Sequence, residues 1–150
     1  MVAVAPVSGF HHAGVDRGGA FCTFNGLVVA AGVVRNRGLA PKVAILDCDQ
    51  HYGDGTDEII AAVGAGSWIK HVSIGGDRRY RDRRDAERFL MDLPGIVAGF
   101  ADCQVLLYQA GADPHVADPL GGWLTTEQLA ERDRIVFETA KSLGLGAASK

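Results

Sequence analysis

The chain has 150 residues, of which 47% are hydrophobic, so it is long enough to bury the core of one globular domain. We therefore expect a single domain over residues 1–150. Fifteen basic and eighteen acidic side chains give a formal net charge of −3, which argues against nucleic acid or a membrane surface as a partner. The composition indicates no particular oligomeric state.

The cysteines and the N-terminus both predict a cytoplasmic protein. Cys22, Cys48 and Cys103 have no Cys-x-x-Cys spacing, and an odd number of cysteines cannot pair fully within one chain. The apolar run over residues 1–6 has no positively charged segment before it and is too short for a signal peptide or a membrane anchor. We therefore expect a reducing compartment.

Hydrophobic runs, charges and turn residues predict an alternation of helices and strands. In chain order we expect a buried helix from Gly26 to about Gly38, a buried strand over Lys42–Asp49, a helix capped by Thr56 that ends near Val63, a strand over Ile69–Ile74, a helix from Asp85 to about Phe100 that is interrupted near Pro94–Gly95, a strand over Val105–Tyr108, and an amphipathic helix from Thr126 to about Leu143. This order indicates a three-layer α/β fold, a mostly parallel sheet flanked by helices. Ligands of such folds bind beyond the carboxyl ends of the strands, so we expect the functional site there.

The segment Asp47–Thr56 concentrates polar groups just after the first predicted strand. It holds three carboxylates, one imidazole and two glycines. In extended backbone, residues two apart face the same way, so Asp49 and His51 can direct an oxygen and a nitrogen at one ion. Catalytic zinc takes three protein ligands of this kind and keeps a position for water. A turn or capping cluster explains the same residues equally well, because Asp and Gly are common in loops.

A second polar cluster, residues 109–122, follows the third predicted strand. If that strand lies beside the first in a parallel sheet, Asp113 meets Asp49 and His51 and completes an Asp-His-Asp metal site. Both Asp113 and Asp118 precede a proline, which is also typical of turns. For Asp118, a turn and a functional role account for the sequence equally well.

Two adjacent histidines, His11 and His12, precede the first predicted helix. Imidazoles titrate near neutral pH, so such a pair can take a proton from a water molecule and return it to a leaving amine. For an isolated pair, surface or core histidines are the commoner explanation, and a metal-ligand fragment is another.

Taken together, the three clusters resemble the histone deacetylase and acetylpolyamine amidohydrolase superfamily. The signature of that superfamily is a His-His pair, a Gly-Phe-Cys segment, an Asp-x-Asp-x-His turn and a Gly-x-Asp segment, in that order. Similar segments occur here in the same order at residues 10–13, 16–22, 47–56, 110–113 and 118–122. The stretches at 16–19 and 120–122 are most similar to the class IV branch and its bacterial relatives.

The resemblance implies an arginase/deacetylase-like fold and a zinc-dependent amidohydrolase that removes acetyl or acyl groups from lysine-like amines by means of a metal-activated water. Zinc would be held by Asp49, His51 and Asp113 and would polarise the amide carbonyl. Ferrous iron accepts similar ligands and is the alternative metal in the cell. A structural K⁺ site would draw on Asp47, Asp49 and His51 with backbone near Ser73.

The resemblance also assigns proton transfer and substrate binding. The catalytic residues would be His11, His12, Asp47 and Asp54. The two histidines would be the general acid/base pair, and the two carboxylates behind them would fix their tautomers and basicity. Phe21 and Gly111 would bind the substrate, with Phe21 lining a tunnel for the acyl-lysine. A plain core phenylalanine is the alternative for Phe21.

Three features depart from the family pattern. Tyr52 stands where many relatives have a second histidine, which removes an imidazole but no expected zinc ligand. The family places a catalytic tyrosine after a glycine-rich segment, and residues 144–150 contain none. Family domains also extend upstream of the His-His pair, so we expect a partial domain, truncated at both ends, with doubtful activity.

Three hypotheses follow: an active deacetylase of acyl-lysine, an impaired fragment that only binds metal or a partner, and a deacetylase of polyamines or other small molecules.

Overall fold

A computed structural model describes residues 3–7 and 9–146. The helices are α1 (Gly26–Asn36), α2 (Asp54–Ala62), α3 (Ala86–Ala98) and α4 (Thr126–Ser142). The strands are β1 (Val43–Asp47), β2 (Ile69–Ser73) and β3 (Val105–Gln109). Short 3₁₀ segments occupy Ala65–Ser67 and Arg83–Asp85. The order of helices and strands along the chain is the predicted one.

The three strands form a parallel sheet in the order β2-β1-β3, so β1 is central. Asp47, the last residue of β1, is opposite Ser73 of β2 and Gln109 of β3. All residues of β1 are buried, as expected of a parallel strand that is covered on both faces. The carboxyl ends of the three strands therefore meet at one edge of the sheet.

Helices cover both faces of the sheet. Because alternate strand residues point to opposite faces, Val43 and Ile45 pack with α1 and α2, whereas Ala44 and Leu46 pack with α3 and α4. The core is thus divided into two apolar layers by the sheet. The prediction of a three-layer α/β fold with a parallel sheet is confirmed.

Side-chain caps fix the starts of two helices. Asn25 Oδ1 accepts a hydrogen bond from the backbone N–H of Val28 at 3.2 Å, and Thr125 forms a capping box with Gln128 at the start of α4. The prediction that Thr56 caps α2 is wrong, because Thr56 lies inside that helix and is fully buried. The helix begins at Asp54, two residues earlier, and Asp54 and Asp57 in its first turn favour a helix N-terminus.

The predicted interruption at Pro94 and Gly95 does not occur, and α3 is continuous through both residues. Proline removes one backbone donor and glycine costs conformational entropy, so both weaken a helix interior. Leu93 and Val97 lie one turn apart and are fully buried against the core, whereas Pro94 and Gly95 are exposed. Tertiary packing therefore holds together a helix that its local sequence disfavours.

The cysteines are buried free thiols. Burial raises the pKa of the Cys48 thiol to about 12, which makes Cys48 a poor nucleophile. Among residues 3–7 and 9–146, no helix combines the length and the hydrophobicity that crossing a membrane requires.

Candidate metal and catalytic site

The adjacent carboxyl ends of β1 and β3 bring the predicted metal ligands together. The chain runs from β1 into Asp49 and His51, and from β3 into Asp113. One potential ligand atom from each of these residues lies within 4.8 Å of the other two. A single ion placed among them can therefore contact two carboxylates and one imidazole.

Hydrogen bonds fold both loops around the two carboxylates. The backbone N–H of His51 donates to Asp49 Oδ1 at 2.9 Å, and that of Gln50 donates to Asp113 Oδ1 at 3.1 Å. The imidazole Nδ1 of His51 donates to Asp113 Oδ2 at 2.8 Å. These hydrogen bonds therefore hold both carboxyl groups beside the segment from Asp49 to His51.

The electrostatics of this cluster favour a bound cation. Burial raises the pKa of the Asp113 carboxyl, and the negative charge of Asp49 raises it further. A divalent cation between the two carboxylates would offset their mutual repulsion. Two oxygens and one nitrogen are a donor set that fits Zn²⁺.

Gly111 permits the close approach of the two ligand loops. A Cβ atom on Gly111 would lie 2.6 Å from Asp49 Cα and 2.9 Å from Asp113 Oδ1, both shorter than van der Waals contact. Any other residue would therefore push the loops apart. The structure places this predicted substrate-binding residue directly between the two acidic ligands.

His11 and Asp47 form a buried pair beside the metal ligands. His11 Nδ1 donates to Asp47 Oδ2 at 2.7 Å, and His11 Nε2 lies 3.6 Å from Asp49 Oδ1. Burial lowers the pKa of His11, but the hydrogen bond to Asp47 and the charges of Asp47, Asp49 and Asp113 outweigh it and raise the pKa above its usual value. His11 Nε2 is not bonded to Asp47 and lies on the side of Asp49, one of the predicted metal ligands.

His12 and Asp54 form a second, more exposed pair. His12 Nδ1 donates to Asp54 Oδ1 at 2.6 Å, and the His12 ring centroid lies 4.1 Å from that of His11 and 6.2 Å from that of His51. Burial raises the pKa of Asp54, but the hydrogen bond and charge of His12 outweigh it and hold the pKa below its usual value. Arg17 Nη2 lies 3.6 Å from Asp54 Oδ2 and adds positive charge on the solvent side.

Phe21 is at the tip of a tight turn beside the histidines. Backbone hydrogen bonds of 2.9 and 2.7 Å between Gly19 and Cys22 close the turn, and Ala20 and Phe21 have φ angles of 41° and 69°. A Cβ on Gly19 would lie 3.3 Å from the carbonyl oxygen of His12, so the turn packs against the His pair. Phe21 is 84% exposed, so the alternative of a core phenylalanine is wrong.

The side chains of Asp118 and Tyr52 form hydrogen bonds with groups other than the predicted metal ligands. Asp118 Oδ1 accepts from the backbone N–H of Leu120 at 2.9 Å, which favours a turn role over a functional one. The Tyr52 hydroxyl donates to Asp57 on α2, away from the metal ligands.

Two of the residues predicted for K⁺, Asp49 and His51, are also predicted zinc ligands, and the other two, Asp47 and Ser73, end β1 and β2. Asp47 Oδ1 accepts from the backbone N–H of Asp49 at 3.1 Å, and Ser73 Oγ accepts from the backbone N–H of Gly53 at 3.1 Å. These oxygens are therefore already hydrogen bonded, and a K⁺ site here stays a prediction.

Sequence reasoning missed Arg132, which is 2% exposed on α4. Its Nη1 donates to the carbonyl oxygens of Gly111 at 2.8 Å and Cys48 at 3.2 Å. The spacing of residues on the helix did indicate that Arg132 is buried. Arg132 follows Leu129 by three residues and precedes Val136 by four, which places it on the buried side of the helix.

Asn25 was missed as well. Its Nδ2 donates to Thr56 Oγ1 at 2.9 Å and to the carbonyl oxygen of Ala13 at 3.3 Å. Asn25 thereby joins α1, α2 and the segment after the His pair. An asparagine directly before an apolar run is a typical helix cap, and this signal was available in the sequence.

Comparisons with known proteins agree with this geometry. The protein-family model of the histone deacetylase domain matches residues 1–73 of this chain. An uncharacterized protein of Picosynechococcus sp. is 30% identical in an alignment that covers 93% of this chain and 51% of that protein. The acetylpolyamine amidohydrolase of Mycoplana ramosa is 49% identical over 49 residues, which cover 33% of this chain and 14% of that protein.

The fold also occurs in solved structures. The crystal structure of an HDAC homolog from Aquifex aeolicus matches with a TM-score of 0.71 at 20% sequence identity, over 93% of this chain and 44% of that chain. The chain therefore spans 51% of the Picosynechococcus protein and 44% of the Aquifex chain, about half of each. As its motifs predicted, the chain is a homologue of histone deacetylases and acetylpolyamine amidohydrolases and has their arginase/deacetylase-like fold.

Proposed function

We propose that the chain is a zinc-dependent amidohydrolase that removes acetyl or acyl groups from lysine-like amines. The convergence of Asp49, His51 and Asp113 beside two histidines, each bonded to a carboxylate, carries this proposal. Relatives named histone deacetylase and acetylpolyamine amidohydrolase support the same class of reaction. Zinc held by these three residues would supply a Lewis acid for the amide carbonyl and make water more acidic.

In this proposal the two histidines divide the proton transfers. His11 Nδ1 is committed to Asp47, so His11 Nε2 is the atom that takes a proton from the attacking water. His12 Nδ1 is committed to Asp54, which leaves His12 Nε2 to give a proton to the departing amine. Both carboxylates fix the imidazole tautomer and stabilise the imidazolium form.

The proposed substrate is an acylated primary amine. The exposed ring of Phe21 offers an apolar surface for the aliphatic stem of such an amine, next to the His pair. Gly111 leaves the backbone open to close approach at the ligand loops. An acyl-lysine peptide and an acetylated polyamine share this chemistry, so both belong to the proposed substrate class.

A second candidate is an impaired homologue that binds metal or a partner without efficient hydrolysis. Every tyrosine hydroxyl is committed to a carboxylate among the residues that the structure describes: Tyr52 to Asp57, Tyr80 to Asp92 and Tyr108 to Asp133. None of these hydroxyls is therefore free to stabilise an oxyanion. Loss of one such donor lowers turnover by roughly 10²–10³-fold in other enzymes.

Metal binding and turnover are measured separately to distinguish the candidates. The purified chain is loaded with zinc, and acetate release is followed from an acetyl-lysine peptide and from an acetylated polyamine, with Asp113→Asn as the control. We expect stoichiometric zinc, binding of a hydroxamate, and turnover that Asp113→Asn abolishes. Zinc and hydroxamate binding without turnover favours the impaired homologue. Absence of zinc binding, hydroxamate binding and turnover together overturns the proposal.

A further inference from the structure

We infer that Arg132 is a positioning residue for the metal ligands, an inference that rests on the zinc site proposed above. Arg132 lies on α4, outside both ligand loops, and is 2% exposed. Its Nη1 donates to the carbonyl oxygens of Gly111 and Cys48 at 2.8 and 3.2 Å. One guanidinium nitrogen therefore ties the two ligand loops to a single helix.

The two carbonyl groups bonded by Arg132 lie next to the ligands in sequence. The Cys48 carbonyl belongs to the peptide bond that leads into Asp49, and the Gly111 carbonyl lies two residues before Asp113. The last hydrogen bond of the sheet at this point runs from the Cys48 N–H to the Gln109 carbonyl at 3.0 Å. Past that bond the sheet no longer fixes either loop, and rotation of either peptide would move a ligand carboxylate.

The guanidinium is itself held in place. Arg132 Nε donates to Asp133 Oδ1 at 2.9 Å, and the same oxygen accepts from the Tyr108 hydroxyl at 2.6 Å. Burial of a charge destabilises a protein unless the charge is paired and hydrogen bonded, and apolar residues of similar volume are often as stabilising as a buried ion pair. Stability alone therefore does not explain an arginine on the buried face of α4. Its hydrogen bonds to the carbonyl oxygens of Cys48 and Gly111 do explain it.

The test compares two variants on the buried face of α4. Arg132→Met keeps the apolar bulk and removes the donors, whereas Val136→Ala loosens the core and removes no hydrogen bond to either loop. Zinc affinity is measured by chelator competition, and amide hydrogen exchange of segments 48–51 and 111–113 is measured in the metal-free protein. We expect Arg132→Met to weaken zinc roughly 10–100-fold and to speed exchange in both segments, as loss of an outer partner does at other metal sites. Arg132→Lys should recover part of the affinity.

Arg134 is exposed on the same helix. Arg134→Met therefore controls for the loss of one positive charge, and it should leave zinc affinity unchanged. If Arg132→Met binds zinc as the unmodified chain does, and Asp113→Asn does not, the inference is overturned while the proposed function stands. Equal losses of zinc affinity in Val136→Ala and Arg132→Met, at equal losses of thermal stability, also overturn the inference. If the unmodified chain fails to bind zinc, the proposed function is overturned, and the inference with it.

Discussion

His11 Nδ1 and Asp47 Oδ2 are 2.7 Å apart, and both side chains are sealed from solvent. Asp47→Asn removes the negative charge that stabilises a protonated His11 while it keeps the size of the side chain. We expect acetyl-lysine turnover of the zinc-loaded protein to fall by about 10²–10⁴-fold, the usual contribution of general acid/base catalysis. In proton NMR spectra, the far-downfield imidazole N–H signal of His11 should disappear. Unchanged turnover in a folded Asp47→Asn variant would contradict this role.

Zinc binding should depend on Asp49 and Asp113 but not on Asp118. Asp49→Ala and Asp113→Ala each remove a carboxylate from the cluster, so the loss of affinity should exceed the roughly 10–100-fold effect of removing an outer partner. Asp118→Ala is the matched control, because Asp118 is a half-buried residue of the same loop as Asp113 and its carboxylate bonds only within a turn. Zinc per protein is measured by elemental analysis after dialysis. Equal zinc contents in all three variants would refute the ligand assignment.

Alanine should have opposite effects at two glycines. Gly111→Ala places a methyl group 2.6 Å from Asp49 Cα and should destabilise the protein by about 1–3 kcal/mol. Gly95→Ala is at an exposed helix position where the methyl group meets nothing within 4 Å, so it should stabilise by about 0.5–1 kcal/mol. Urea unfolding measures both free energies. Equal effects of the two substitutions would show that Gly111 is not a close-approach position.

Loss of the Asn25 side chain should cost more than loss of an ordinary helix cap. Asn25→Ala removes the cap of α1 and leaves buried partners such as Thr56 Oγ1 without a donor, so we expect about 2–3 kcal/mol of destabilisation. Thr125→Ala, which removes the exposed cap of α4, should cost about 1 kcal/mol. Urea unfolding of both variants provides the comparison. A smaller loss for Asn25→Ala than for Thr125→Ala would mean that the buried hydrogen bonds contribute nothing.

At the opposite end of the sheet, Asp102 links Lys42 and Lys70 and should make stability depend on pH. Hydrogen bonds from both lysines hold the pKa of Asp102 well below its usual value. A carboxylate with a lowered pKa in the folded state stabilises the protein above its unfolded pKa of about 3.9, and this stabilisation is lost as the pH falls. The melting temperature should therefore be lower for Asp102→Asn at pH 7, with the difference vanishing in strong acid and shrinking in about 1 M salt. A difference that stays constant from neutral to acid pH would exclude this cause.

The strand-end clusters were predictable because strand geometry is regular. Side chains two residues apart share a face, and parallel strands end at a common edge, so the sequence grouped Asp49, His51 and Asp113 on the condition that β1 and β3 are neighbours, as they are. Their convergence is now observed, whereas their roles in binding metal remain proposals. The His-Asp pairs needed the family resemblance, since nothing in the local sequence joins His11 to Asp47.

The features that the sequence did not reveal depend on tertiary packing. Pro94 weakens a helix locally, but the buried neighbours Leu93 and Val97 keep α3 intact. Thr56 has the residue type of a cap, yet the helix begins before it and buries it. Arg132 has the charge of a surface residue, and its burial depends on the carbonyl groups beyond the ends of β1 and β3 and on Asp133. In each case a contact distant in sequence outweighs a local preference.

The turn at Ala20 and Phe21 exposes an aromatic side chain at a cost in stability. Both residues have positive φ angles, which cost non-glycine residues about 1 kcal/mol or more each, and the Phe21 ring gains little from burial. An Asn-Gly pair would form the same turn without that strain. An aromatic ring exposed on a strained turn does not help the fold, and this arrangement fits the proposed contact of Phe21 with the substrate.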